Sequence, residues 1–269
     1  MSKLINISNA VQLIKDGDNL GIGGNVLHRA PMALIREIIR QQKRELKVIK
    51  TAGAMDVDML CWGDCVYSVD AGFISYESEF SLANHYRKAV QEGRVKGNEH
   101  ACYTVISALR AAAYGVPFMA VHGLMAGDLI TVNEYFTRIK DPFSDEMVTV
   151  VKALKPDVTI MHVQEADENG NAVIYGPKYD DILLAKAAKT VIVSAEHIVD
   201  KSYFRTNKQK ADIPHFMVAA VVHAKEGAMP CSCPTVYDID RADILKFKNL
   251  KNKKGLDEYV EKYEIQDRM

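Results

Sequence analysis

The residues with the clearest chemical potential stand in the run Asp16-Gly17-Asp18-Asn19-Leu20-Gly21-Ile22-Gly23-Gly24-Asn25, followed by Ala30-Pro31. A turn leads into a short apolar strand, the strand ends on a double glycine, and a proline opens the next helix. Glycine lets backbone N–H groups approach a ligand with no Cβ in the way. Near a helix start such groups stabilise negative charge, whether a phosphate or a developing oxyanion. The spacing is not the G-x-G-x-x-G of dinucleotide binding, nor a P-loop, because no Gly-Lys-Ser/Thr follows. A tight strand-to-helix turn accounts for the same residues.

Three further segments place polar groups behind apolar runs. His162-Val163-Gln164-Glu165-Ala166-Asp167-Glu168-Asn169-Gly170-Asn171-Ala172 follows one such run. Polar residues at the carboxyl end of a strand line ligand crevices, and Asp-Glu-Asn-Gly-Asn is also dense turn chemistry. Glu196-His197 closes another run, where Glu196 reads as a functional carboxylate or as an anion at a helix start. Glu226–Pro234 carries two prolines and a glycine and forms a rigid loop. Glu99 and His100 precede a helical pattern, and His122 ends an apolar run. The cysteines, Cys61-x3-Cys65, Cys102 and Cys231-x-Cys233, lack the C-x2-C spacing of structural zinc sites. They read as free thiols, and no metal site is expected.

Positioning these groups requires an alternation of strands and helices. The apolar runs predict strands over Asn19–Gly23, Leu46–Thr51, Tyr67–Ile74, Pro117–Val121, Asp157–Val163, Thr190–Ser194 and His215–Val222. Most lack period-2 alternation, as strands covered on both faces do. Helical patterns fall over Ala10–Ile14 (with Ser8 as N-cap), Pro31–Arg40, Leu82–Gln91, Cys102–Tyr114, Ser144–Leu154, Tyr179–Ala188 and Leu256–Tyr263. The fold class is α/β, a mostly parallel open sheet flanked by helices. No Pro/Gly/Ser-rich linker divides the chain, so residues 1–269 read as one domain. Lys246–Lys254 is a basic run, read as a solvated terminal segment. With 34 basic and 35 acidic residues the formal charge is −1. That balance argues against a nucleic-acid or membrane-surface binder. No secretory signal and no run of about 20 apolar residues is present, so a cytoplasmic location is expected.

In this order the segments resemble the A subunit of class I coenzyme A transferases, particularly the glutaconate coenzyme A-transferase-like branch. Asp16-Gly17 with Gly23-Gly24 and Pro31 resembles that family's N-terminal signature. Gly72-Phe73 with Tyr86-Arg87, Gly115-Val116-Pro117-Phe118, Ala166-Asp167 through Gly170-Asn171, and Val193 through Glu196 resemble further family positions. Asn25 stands where phenylalanine is usual, Arg29 where glycine is usual, and Gly21 where an aliphatic residue is usual.

The resemblance implies the coenzyme A transferase fold, shared with sugar-phosphate isomerases. It implies a coenzyme A thioester as substrate and no permanently bound cofactor. It further implies a hetero-oligomer with a B-type subunit, whose glutamate carries a glutamyl thioester between small carboxylic acids. Glu168-Asn169-Gly170 matches an A-type turn rather than the B-type nucleophile segment. On this reading Gly23, Gly24 and Asn25 offer donors to the thioester carbonyl, and Arg29 pairs with a substrate carboxylate. Glu99 is a candidate general base, because hydrolases of this fold place an acidic residue in that region. The alternatives are an acyl-coenzyme A hydrolase, including ring-opening types, and a non-catalytic small-molecule sensor.

Overall fold

A computed structural model describes residues 2–124, 127–206 and 210–268. The strands are β1 (Asn19–Ile22), β2 (Leu46–Gly53), β3 (Val66–Ile74), β4 (Lys96–Glu99), β5 (Phe118–Val121), β6 (Phe136–Lys140), β7 (Met147–Lys152), β8 (Val158–Asp167), β9 (Ala172–Val173), β10 (Thr190–Val199) and β11 (Val218–His223). The main sheet runs β11-β10-β8-β1-β2-β3-β4, with every pairing along it parallel. Short β9 pairs antiparallel to the end of β8.

Burial on both faces explains the continuous apolar runs. In β2, Val48 enters a core shared with helices Met32–Arg40 and Met55–Trp62, whereas neighbouring Ile49 enters one shared with helix Cys102–Ala113. β1 to β4 step toward one edge of the sheet; β8, β10 and β11 step toward the other. The chain reverses between β1 and β8, and the carboxyl ends of those strands form the crevice where open α/β sheets bind ligands.

Four expectations need correction. Ser144–Leu154 is not a helix: the β-branched run Val148-Thr149-Val150-Val151 lies in β7, the middle of a separate antiparallel sheet, β5-β7-β6. Phe118–Val121 is a strand, but of that small sheet rather than the parallel one. The first helix starts at Ile7 with Asn6, not Ser8, as its cap. Lys246–Lys254 exposes most of its lysines, as expected of a solvated segment, but it is no loose tail. It joins helices Arg241–Lys248 and Lys253–Lys262, whose Ile244, Phe247, Leu256, Tyr259 and Val260 enter the main core. Lys248 lies over the Tyr76 ring at 4.2 Å, and Lys253 donates to the Trp62 carbonyl at 2.9 Å. Among the described residues no helix is long and apolar enough to cross a membrane.

Candidate functional site

The loop after β1 follows from two close approaches. At Gly21 a Cβ would stand 2.5 Å from Thr159 Oγ1 and 3.1 Å from Leu184, so glycine lets helix Asp181–Ala187 settle against the sheet. That brings Asp180 and Asp181 to the loop. Gly24 has φ +73°, and a Cβ there would stand 2.5 Å from the Arg29 carbonyl oxygen, so both its backbone and its surroundings require glycine.

Two buried ion pairs brace the loop from opposite sides. Lys50, fully buried, donates through Nζ to the carbonyls of Gly23 (2.5 Å) and Gly24 (3.0 Å) and pairs with Asp56 at 3.1 Å. On the other side Arg29, 0% exposed, pairs with Asp181 at 2.7 Å and donates to the carbonyls of Pro177 (2.8 Å) and His162 (3.3 Å). The second carboxylate oxygen of Asp181 accepts the Gly24 N–H at 2.8 Å. Each charge has a partner and further hydrogen bonds, which is what makes its burial tolerable.

This geometry revises the reading of the sequence. The Gly23 N–H donates to the Ile160 carbonyl, the Gly24 N–H to Asp181 and the Asn25 N–H to the His28 carbonyl, at 2.8, 2.8 and 2.9 Å. No backbone donor of the double glycine is left for a substrate. Among the described residues the half-buried Asn25 side-chain amide is a loop donor with no partner in the chain. Arg29 finds its carboxylate inside the chain, in Asp181, so it is no exposed clamp for a substrate. Glu99 ends the edge strand β4 and is exposed; it lies three strand spacings, roughly 14 Å, across the sheet from β1. The structure therefore groups Gly23, Gly24, Asn25 and Arg29 and leaves Glu99 apart. His122 is exposed beyond β5, next to the small sheet.

Three groups beside the loop carry no local sequence signal. Thr51, at the carboxyl end of β2, donates through Oγ1 to Asp180. Burial raises the Asp180 pKa, with Thr51 and Lys50 offsetting part of the effect. Cys102, the one cysteine of five that is not fully buried, lies against the Thr51 carbonyl at 3.5 Å. Burial raises its pKa as well. His28 forms a tight reverse turn with Asn25, and its Nδ1 lies 2.6 Å from Ser232 Oγ. Partial burial lowers its pKa, against the opposing charge of Glu77. These contacts span 129, 51 and 204 residues, and composition at any one segment does not disclose them.

Behind the loop, His162, Glu196 and Cys233 place one ligand-type atom each within 4.8 Å of one another, all buried. Their bonding is that of a closed network. Glu196 accepts from His162 Nε2 (2.7 Å), Tyr237 OH (2.5 Å), the Glu226 N–H (2.7 Å) and the Gly227 N–H (3.2 Å). Burial opposes ionisation of Glu196, but these hydrogen bonds outweigh it and hold its pKa below the usual range. Burial and the neighbouring Glu196 push the Cys233 thiol up to about 12, away from the thiolate a metal would need. Glu196 is thus neither a helix-start anion nor a substrate carboxylate but the anchor of the 226–237 loop. Asp167 plays a similar part in its turn, where Oδ1 accepts the N–H groups of Asn169, Gly170 and Asn171.

Comparison with known proteins agrees with this architecture. A protein of Archaeoglobus fulgidus is 36% identical over 93% of this chain; the match covers 56% of that longer relative. The A subunit of glutaconate CoA-transferase from Acidaminococcus fermentans is 31% identical, over 89% of this chain and 80% of its own length. A chain of the glutaconate coenzyme A-transferase crystal structure from that organism aligns with a TM-score of 0.86 at 28% identity, covering 99% of this chain and 94% of its own. A chain from the crystal structure of a variant of the decarboxylase AibA/AibB gives 0.88 at 31% identity, covering 97% and 98%. The sequence model of the Coenzyme A transferase family matches residues 4–224. The chain belongs to the coenzyme A transferase family.

Proposed function

We propose that residues 1–269 are the A-type half of a heteromeric coenzyme A transferase that moves coenzyme A between small carboxylic acids, with the nucleophilic glutamate on a B-type partner. One observation carries the second part. The three buried carboxylates packed around the glycine loop are each committed within the chain: Asp56 to Lys50 and the N–H groups of Ala54 and Val57, Asp180 to Thr51, and Asp181 to Arg29 and Gly24. None is free to attack an acyl group.

In the proposed cycle the partner's carboxylate adds to the thioester carbonyl. The coenzyme A thiolate leaves and a mixed anhydride forms. The thiolate then attacks the glutamyl carbonyl and releases the acyl group as a carboxylate, leaving the glutamyl thioester. The acceptor acid reverses these steps. The Asn25 amide donates to the oxyanion, a contribution of about 2.7–4 kcal/mol for one such donor. Lys50 and Asp181 fix the loop that carries it. Glu99 stands at the rim. Coenzyme A enters as substrate with no resident cofactor, and the assembly works in the cytoplasm.

The test is to purify the chain alone and with its B-type partner, incubate each with acyl-coenzyme A, trap thioesters with hydroxylamine or borohydride, and map both chains by mass. The expected adduct lies on a partner glutamate, and Glu99→Gln lowers turnover modestly. An adduct on any glutamate of this chain, or robust transfer by the lone chain, would refute the proposal. Hydrolysis abolished by Glu99→Gln, with no trapped adduct anywhere, would replace it with a hydrolase.

A further inference from the structure

A second concave site lies by the β11 edge of the sheet, three strands from β1 and its glycine loop. After β8 the chain folds back, so that Gly170 packs on Val218, the residue that opens β11 and pairs with Val191 near the start of β10. The amino-terminal arm joins there: the Lys3 N–H donates to the Glu168 carbonyl at 2.7 Å, and Lys3 Nζ to the His215 carbonyl at 2.5 Å. The His215 N–H donates to Asn171 Oδ1 at 3.1 Å. Around this junction is a pocket of about 470 Å³ lined in part by Lys3, Asn169, Lys201, Phe204, Arg205 and His215. That volume falls in the roughly 300–1,000 Å³ range of small-molecule sites.

The pocket gathers cations. Lys3, Lys201 and Arg205 bring three positive charges, and the carboxylate bonded at the pocket, Glu168, pairs with Lys201. The local balance is two positive charges (three cations less one carboxylate) in a chain whose formal charge is −1. Cations gathered in one concavity repel one another until an anion joins them, and Arg205 has no carboxylate of its own among the described residues. Asn169 adds an amide, and Phe204 adds a half-buried ring beside the cations.

We propose that this pocket binds a phosphate-bearing anion of nucleotide type, with the cations meeting its phosphates and Phe204 its ring. The site is separate from the glycine loop and does not rest on the transfer reaction. A free nucleotide and the nucleotide end of coenzyme A present the same chemistry, so the probes are ADP, coenzyme A and inorganic phosphate.

Isothermal titration of the full chain in its complex, at low and at moderate salt, is the measurement. ADP or coenzyme A should bind saturably and weaken as salt rises. Arg205→Glu, an exposed substitution that breaks no bond of the fold, should weaken binding at least tenfold, whereas Asn25→Ala should leave it unchanged. Phe204→Ala should remove the preference for a nucleotide over inorganic phosphate. Binding of ADP that Arg205→Glu weakens identifies a free nucleotide as the ligand; Arg205-dependent binding of coenzyme A but not of ADP identifies the coenzyme. The proposal is overturned if neither binds saturably, if Arg205→Glu changes nothing, or if Asn25→Ala abolishes the binding.

Discussion

Replacing Asp181 by alanine tests the claim that Arg29 belongs to the fold rather than to the substrate. The substitution leaves a fully buried guanidinium with two carbonyl partners, at 2.8 and 3.3 Å, and no counter-charge. It also strips the Gly24 N–H of its acceptor. Removing one partner of a buried pair costs about 3–5 kcal/mol, because the remaining charge stays desolvated. For a domain of this size each kcal/mol moves Tm by about 2–4 °C, so Asp181→Ala should lower Tm by roughly 6–20 °C. Thermal melts of the purified chain and of its complex, followed by circular dichroism, read this directly. As a control, Lys88→Ala removes an exposed pair with Glu92, whose side chains are 69% and 44% exposed, and should leave Tm unchanged. The double variant Arg29→Met, Asp181→Leu should recover much of the loss, since no uncompensated charge remains. The reasoning fails if Asp181→Ala melts like the wild type. It also fails if Arg29→Met leaves Tm intact and raises KM for the carboxylate substrate, which would restore Arg29 as a clamp.

Three other predictions concern the core and the loop. Asp58, almost wholly buried, accepts from Tyr76 OH (3.0 Å) and from the N–H groups of His85 and Tyr86 (both 2.8 Å), yet burial pushes its pKa up to about 6. A pKa raised above the usual carboxylate value means that the folded state holds the proton more tightly. The resulting stabilisation is present below about pH 4 and lost as pH rises to about 6, a change of about 3 kcal/mol. The Asp58→Asn variant has no proton to lose at this position, so its urea midpoints should converge on or overtake the wild type between pH 4 and 7; parallel pH slopes would exclude this account. In the loop, Asn25→Ala should lower kcat by about 10²–10³ with Tm unchanged. Gly24→Ala should instead destabilise the fold, because its Cβ meets backbone at 2.5 Å and its φ is +73°. A Gly24→Ala variant with wild-type Tm and rate would assign that residue to an unconstrained turn.

The sequence by itself determined the layered α/β architecture. Long runs such as Val158–Val163 are mostly apolar and do not alternate, because both faces of β8 are covered, and that pattern is visible in a single chain. The double glycine followed by Pro31 marks a strand-to-helix turn for local reasons, since backbone freedom and the fixed φ of proline are properties of the residues themselves. Local pattern misled at Ser144–Leu154, where a short apolar run fits a helix as readily as a strand and the pairing of β7 with β5 and β6 decides. The edge strand β4 also escaped, because Lys96-Gly97-Asn98-Glu99 has too few apolar residues to announce itself.

Only the tertiary structure decided what each polar group of the site faces. From sequence, an arginine or lysine reads as exposed, because burying a charge is unfavourable without a partner. The partners that reverse this for Arg29 and Lys50 include Asp181, 152 residues away, and the Gly23 carbonyl, 27 residues away. Long-range contacts to Ile160 and Asp181 likewise consume the N–H groups of the double glycine and leave the Asn25 side chain open as a donor. Propensity and spacing act over a few residues, whereas burial and hydrogen-bond partnership are set by strand order. That order places β8 and the helix carrying Asp181 beside β1, and with them the surroundings of the glycine loop.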